Sequence, residues 1–115
     1  MKCSVFVLLT FTASVSAAAA QPFPKTETLN EQQLRGRSLF SQSCLVCHVK
    51  LQITSSAKYG PDLSRDALGG QEAVMREVIT NGTPNMPGFK YTYSPEQIAD
   101  IAAYVKTLPG APAKN

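Results

Sequence analysis

Cys44-Leu45-Val46-Cys47-His48 constrains this chain more than any other stretch. Two thiols three positions apart, with an imidazole directly after the second, form the attachment pattern for a c-type haem. The thiols add across the two haem vinyl groups as thioethers, and the adjacent imidazole supplies one axial nitrogen to the iron. Three rival readings fit less well. A thioredoxin-like Cys-x-x-Cys needs a βαβ setting, and no strand-rich run precedes this one. A structural zinc site needs four ligands, whereas beyond Cys44, Cys47 and His48 the chain has no second His and only Cys3 as a further thiol. A Cys44–Cys47 disulfide leaves His48 without a role.

The chain has 115 residues, enough for one small domain. Residues 1–20 read as a cleaved secretory signal: Lys2 gives a positive start, Val5 to Phe11 is apolar, and small residues follow at Val15-Ser16-Ala17 and Ala18-Ala19-Ala20. The apolar stretch is short and diluted by Thr10, Thr12, Ser14 and Ser16, which disfavours a spanning helix; a retained anchor is the alternative. Cys3 leaves with the signal, so the two remaining thiols are both committed to haem. Export places them where free thiols normally oxidise. Loss of Lys2 lowers the formal charge from +3 to +2, and no basic run is present. The composition therefore gives no support for nucleic-acid binding. A mature chain of about 95 residues buries a limited core on its own. A central haem adds apolar surface that the apoprotein lacks, so the apoprotein is expected to fold poorly.

Residues 21–29, with Pro22 and Pro24, read as a flexible N-terminal lead, and 110–115 as a short C-terminal tail. Between them, 30–109 form the domain. Asn30, with Gln33 three residues on, predicts a capping box and a helix through Leu34, Leu39 and Phe40 towards the cysteines. Gly36 in its interior is either a weak position or a point of close approach. Tyr59-Gly60-Pro61-Asp62 and Gly69-Gly70 mark turns around a short piece of about one helical turn. Residues 71–81 read as a helix bearing Val74, Met75, Val78 and Ile79 at helical spacing, stopped by a left-handed Gly82. Pro84 and Pro87 keep 83–92 irregular. Ser94-Pro95 with Gln97 starts the last helix, whose apolar face is Ile98, Ile101, Ala102, Val105 and Leu108, with Tyr104 beside it. No convincing strand is legible, so the fold class is all-α, with about four helices wrapped around one covalent haem.

A six-coordinate iron needs a second ligand, and the chain has one His only. Lys, Asn, Tyr or the N-terminal amine can serve in principle; a Met thioether suits ferrous iron and raises the potential. Met75 sits among helical aliphatics, where Met is usually core filler. Met86, in the stiffened loop Asn85-Met86-Pro87-Gly88-Phe89, is the favoured ligand.

The sequence resembles the class I c-type cytochromes of the short bacterial single-haem type over about residues 30–109. Gly36 and Phe40, the Cys44-x-x-Cys47-His48 motif, Gly60-Pro61-Asp62-Leu63, Met86-Pro87 and the last helix with Tyr104 carry the resemblance. His48 and Pro61 are 13 positions apart and His48 and Met86 are 38 apart; the second interval resembles that of the compact bacterial members and is shorter than in mitochondrial ones. The resemblance implies a small cytochrome c fold in which the first and last helices cross, Gly36 and Phe40 lying near Tyr104. It also implies that the Pro61 carbonyl accepts a hydrogen bond from the His48 ring, and that Phe89 packs in the ligand loop. Tyr59, Arg65, Tyr91 and Tyr93 are candidate holders of the haem propionates, each equally readable as ordinary packing or surface; of the four, Tyr59 is the favoured cofactor contact.

The expected function is that of a periplasmic carrier in a bacterium, not an enzyme. It would pass one electron from a redox-protein donor to a redox-protein acceptor through a His/Met-ligated haem c. Transient contact with membrane redox complexes is compatible with this, and neither nucleic acid nor a small-molecule substrate is expected. Lys50, Lys58 and Lys90 are candidates for steering an acidic partner. Two alternatives are a haem subunit held permanently by a periplasmic dehydrogenase or terminal oxidase, and a haem enzyme or gas sensor with a labile sixth ligand.

Overall fold

The structure, a computed structural model, describes residues 23–48 and 59–111. The expected signal at 1–20, Lys50, Lys58 and tail residues 112–115 lie outside the described residues. The helices in chain order are α1 (Glu31–Ser43), α2 (Leu45–His48), α3 (Glu72–Asn81) and α4 (Pro95–Val105). Short 3-10 turns span Thr26–Thr28 and Ala67–Gly70. Among the described residues there is no strand, only an isolated antiparallel bridge between Thr83 and Met86. The chain is all-α.

Both long-range helix starts are fixed locally. The Asn30 side chain accepts from the Gln33 amide at 2.9 Å, and the Gln33 side chain accepts from the Asn30 amide at 3.0 Å. Ser94 and Gln97 repeat the exchange at 3.3 and 2.9 Å, with Pro95 supplying a pre-set φ in the first turn. Such a cap contributes about 1 kcal/mol. α3 lacks this device: Gln71 precedes it without a side-chain bond.

α1 packs on α4. Gly36 is buried at their crossing, where a Cβ would stand 1.8 Å from the Asp100 carbonyl oxygen. Of the two readings of this glycine, close helix approach is therefore the operative one. One turn further on, Phe40 and Tyr104 meet with ring centroids 5.3 Å apart and tilted by 59°. This is a tilted aromatic pair within the favourable range of centroid separation. Tyr104 is 1% exposed. The sequence puts it beside the apolar face of α4, whereas it lies at the centre, because the ring is apolar enough to join Ile101 and Val105 around Phe40. Met75 and Ile79 extend this core from α3. Across the same interface, the Arg35 Nε donates to the largely buried Asp100 carboxylate at 2.9 Å.

In the segment expected to be a loose lead, Phe23 and Leu29 pack against the core, and the Arg37 guanidinium donates to the Thr26 hydroxyl. In the short helical piece, Ala67–Gly70, Leu68 adopts a left-handed conformation (φ 54°, ψ 37°) followed by two glycines at positive φ. That backbone costs a non-glycine residue roughly 1–2 kcal/mol. Gly82 has a positive φ of 76°, but its ψ of −170° is extended rather than left-handed helical. The helix therefore does not end in the predicted left-handed cap; the chain turns out sharply instead.

Candidate haem site

Helix α2 continues α1 with only Cys44 between them, so Cys44, Cys47 and His48 emerge at the end of the helix that α4 anchors. All three face a cavity of about 450 Å³, a size in the range of organic-cofactor pockets. Its walls are mostly apolar. Phe40 comes from α1, Leu63, Ala67 and Leu68 from the following loop, Met75, Val78 and Ile79 from α3, and Ile101 and Val105 from α4. Met86 and Pro87 line it from the loop after α3, residues 59–62 add a further stretch, and Asp62, Thr83 and Asn85 are among its polar members.

The His48 Nδ1 lies 2.9 Å from the Pro61 carbonyl oxygen. A carbonyl only accepts, so Nδ1 carries a proton, and in the neutral ring this leaves the lone pair on Nε2, the tautomer that can ligate a metal. Gly60 lies against the same ring: a Cβ there would sit 2.7 Å from Nδ1 and 2.8 Å from Cε1. The Gly60 amide also donates to the Cys47 carbonyl at 2.8 Å. The two sides of the undescribed segment are thus joined directly at the imidazole.

Met86 is held by backbone rather than by its own side chain. The amides of Thr83 and Met86 exchange hydrogen bonds with each other's carbonyls at 2.8 and 3.1 Å, closing a tight turn over Pro84 and Asn85. Phe89 and Lys90 donate to the carbonyls of Ile79 and Thr80 at 2.9 and 3.2 Å. Those carbonyls belong to the last turn of α3 and have no partner within the helix. The α3 terminus and the Met86 loop therefore satisfy each other. Phe89 stacks on Tyr93 with centroids 5.9 Å apart, and both pack against the core.

Met75 also lines the cavity, but as a 3% exposed member of the core on α3. Tyr59 borders the cavity while 89% exposed. The other three candidate propionate holders are not among the lining residues. The Tyr93 and Ser43 hydroxyls share a hydrogen bond at 2.5 Å, Tyr91 lies exposed beneath the Lys90 ammonium, and Arg65 binds the Pro109 carbonyl through its amide. Burial, reinforced by the neighbouring Cys47, pushes the Cys44 thiol up to about 11. The wall at Cys44 thus favours an uncharged sulfur, which a thioether provides. Reading the sequence missed the contributions of Gly60, Leu63, Leu68, Thr83 and Asn85. Only the Gly60-Pro61-Asp62-Leu63 run carried any signal for them.

A pair of thiols followed by an imidazole, gathered on one apolar cavity, are the groups that covalent haem attachment requires, and the thioethers of Met75 and Met86 line the same cavity. These features define a single-haem c-type cytochrome, an electron-carrier protein. Comparison with known proteins agrees. Residues 31–105 match the family model described as cytochrome c oxidase, cbb3-type, subunit III. A cytochrome c6 of Limnospira maxima is 38% identical over 80 residues, covering 61% of this chain and 85% of the relative. A cytochrome c6 of Nostoc sp. is 35% identical over 102 residues, covering 85% of this chain and 80% of the relative. A cytochrome c-553-like protein of Synechocystis sp. is 35% identical over 75 residues, with coverages of 64% and 67%. The chain belongs to this cytochrome c family, whose members carry covalently bound haem c.

Proposed function

We propose that this chain is a periplasmic single-haem carrier that passes one electron from a redox-protein donor to a redox-protein acceptor, with His48 and Met86 as the two axial ligands. The observation that carries this reading is the shared cavity. Cys44 reaches it from the junction of α1 and α2, Cys47 and His48 from the end of α2, and Met86 from a loop bonded to the end of α3. When bound, the haem supplies reversible exchange of one electron between ferrous and ferric iron.

The chain's own residues set the conditions for that exchange. Cys44 and Cys47 tether the group. The Pro61 carbonyl orients the His48 ring and raises its basicity. The backbone bracket around Met86 limits movement of the thioether between oxidation states. Phe40, Ile79, Ile101 and Val105 exclude water and favour the less charged ferrous state. In this reading residues 1–20 direct export and are removed, 30–109 form the haem domain, and Tyr59 stands at the edge where propionates would lie. Lys90, together with Lys50 and Lys58, steers an acidic partner; neutralising all three is expected to flatten the salt dependence of transfer rates.

The test is the absorption spectrum in both oxidation states. A low-spin c-type spectrum with the red charge-transfer band of Met-ligated ferric iron is expected. Met86→Ala abolishes that band and Met75→Ala retains it; the reverse pattern assigns the ligand to Met75 and refutes the reading. The relatives named cytochrome c6 support a free carrier. The description of the matching family as an oxidase subunit supports a second reading, a haem subunit permanently bound to a larger complex. Co-purification with a larger redox enzyme at high salt distinguishes the second from the first.

A further inference from the structure

One wall of the cavity is formed by Leu63, Ala67 and Leu68, on a loop whose second half is the 3-10 turn Ala67–Gly70. Within residues 63–70 the Ala67 amide reaches the Ser64 carbonyl at 3.1 Å and the Asp66 amide reaches the Ser64 hydroxyl at 3.3 Å. Leu68, the lining residue nearest the end of the loop, sits in a left-handed conformation that a leucine does not favour. Such a backbone persists where its surroundings over-determine it.

The surroundings that do so come from the chain beyond α4. The Lys106 Nζ donates to the Gly70 carbonyl at 2.6 Å. The Arg65 amide donates to the Pro109 carbonyl at 3.3 Å, and the Ala111 amide donates to the Asp66 carboxylate at 2.9 Å. The loop is thus fastened at both of its ends, by three bonds from one short C-terminal stretch that itself continues the core helix. We propose that Lys106 and Asp66 are positioning residues: they latch loop 63–70 to the end of α4 and hold the Leu63–Ala67–Leu68 wall closed against water. The latch acts on the wall of the haem cavity and is independent of which side chain completes the iron's coordination.

The experiment is amide hydrogen exchange and redox titration of the haem-loaded protein, comparing the parent with Lys106→Met, which keeps the apolar stem and removes the donor, and with Asp66→Ala. Release of one ordinary hydrogen bond corresponds to about fivefold faster exchange. This acceleration is expected at the Arg65 and Ala67 amides, with none at the Leu34 amide of α1 or the Cys44 amide that caps it. Water at the opened wall favours the ferric state, so the reduction potential falls in both variants. Unchanged exchange at Arg65 and Ala67 overturns the proposal, as does equal acceleration in α1. Selective acceleration with an unmoved potential also overturns it, because the loop would then have no bearing on the haem.

Discussion

Replacing Gly36 with alanine sets two physical effects of opposite sign against each other. Helix propensity alone makes the substitution stabilising by about 1 kcal/mol, since glycine in a helix interior carries excess unfolded-state freedom. The tertiary structure opposes it. The added methyl would lie 1.8 Å from the Asp100 carbonyl oxygen, 2.5 Å from its carbon and 3.0 Å from the Tyr104 Cβ. Ordinary contact begins at 3.4 Å, so along that line α1 and α4 must part by about 1.6 Å, which is 3.4 less 1.8. The first two obstructing atoms are backbone and cannot rotate away. A gap of 0.5–1 Å already forfeits roughly a quarter to a half of each dispersion contact. The contacts at risk include Phe40 with Tyr104, both 1% exposed. Overpacking of this kind costs about 1–3 kcal/mol, and more when backbone is involved. The steric effect therefore outweighs the propensity gain, leaving Gly36→Ala destabilised by about 2 kcal/mol. In a domain of this size that lowers Tm by roughly 10 °C. Urea unfolding of the haem-loaded protein, followed by far-ultraviolet circular dichroism, reads the change; intact mass confirms that haem loading is equal. Ser41→Ala, on the exposed face of the same helix, is the control and is expected to change stability by no more than about 0.5 kcal/mol. If Gly36→Ala matches or exceeds the parent in stability, the close crossing of α1 and α4 is wrong.

Three further outcomes follow from the same geometry. Gly82→Ala forces a side chain onto a backbone with φ 76° and places its Cβ 2.4 Å from the Met86 carbonyl oxygen; it is expected to destabilise by about 2 kcal/mol and to weaken the red ferric charge-transfer band, read by absorbance. Tyr93→Phe and Ser43→Ala remove the two partners of the 2.5 Å hydroxyl pair that ties the end of α1 to the chain after Met86; a double-mutant cycle in urea should give a coupling of about 1 kcal/mol, and zero coupling would show the bond to be idle. Arg35→Gln leaves the buried Asp100 carboxylate without its charged partner and should lower the urea midpoint, with Arg35→Lys intermediate because an ammonium cannot reproduce the guanidinium fork.

Much of this was readable along the chain because it is encoded locally. A capping box spans four residues, so Asn30 with Gln33 and Ser94 with Gln97 announce the starts of α1 and α4 without reference to anything distant. The Cys-x-x-Cys-His pattern is equally local: five consecutive residues, Cys44 to His48, carry the attachment chemistry. Failures of sequence reading lie where one element depends on another. The end of α3 looked like a left-handed glycine cap, because the sequence does not reveal that Phe89 and Lys90 return to take up the Ile79 and Thr80 carbonyls. With those acceptors satisfied by the Met86 loop, Gly82 is free to turn the chain out instead. The helical spacing of α4 by itself puts Tyr104 beside the apolar face, whereas the family resemblance, which sets Gly36 and Phe40 near Tyr104, agrees with the contact in the structure.

By itself, then, the order of residues determined the helical class, the haem attachment and the pair of methionines among which a second ligand is sought. Only the tertiary structure decided how closely Gly36 meets the Asp100 carbonyl, that Nδ1 is the His48 nitrogen facing Pro61, and that loop 63–70 is tied to the chain beyond α4. The division has one physical cause. Covalent pattern and capping act over a few bonds of chain, whereas packing and ring orientation are set by groups that meet only after the chain has folded.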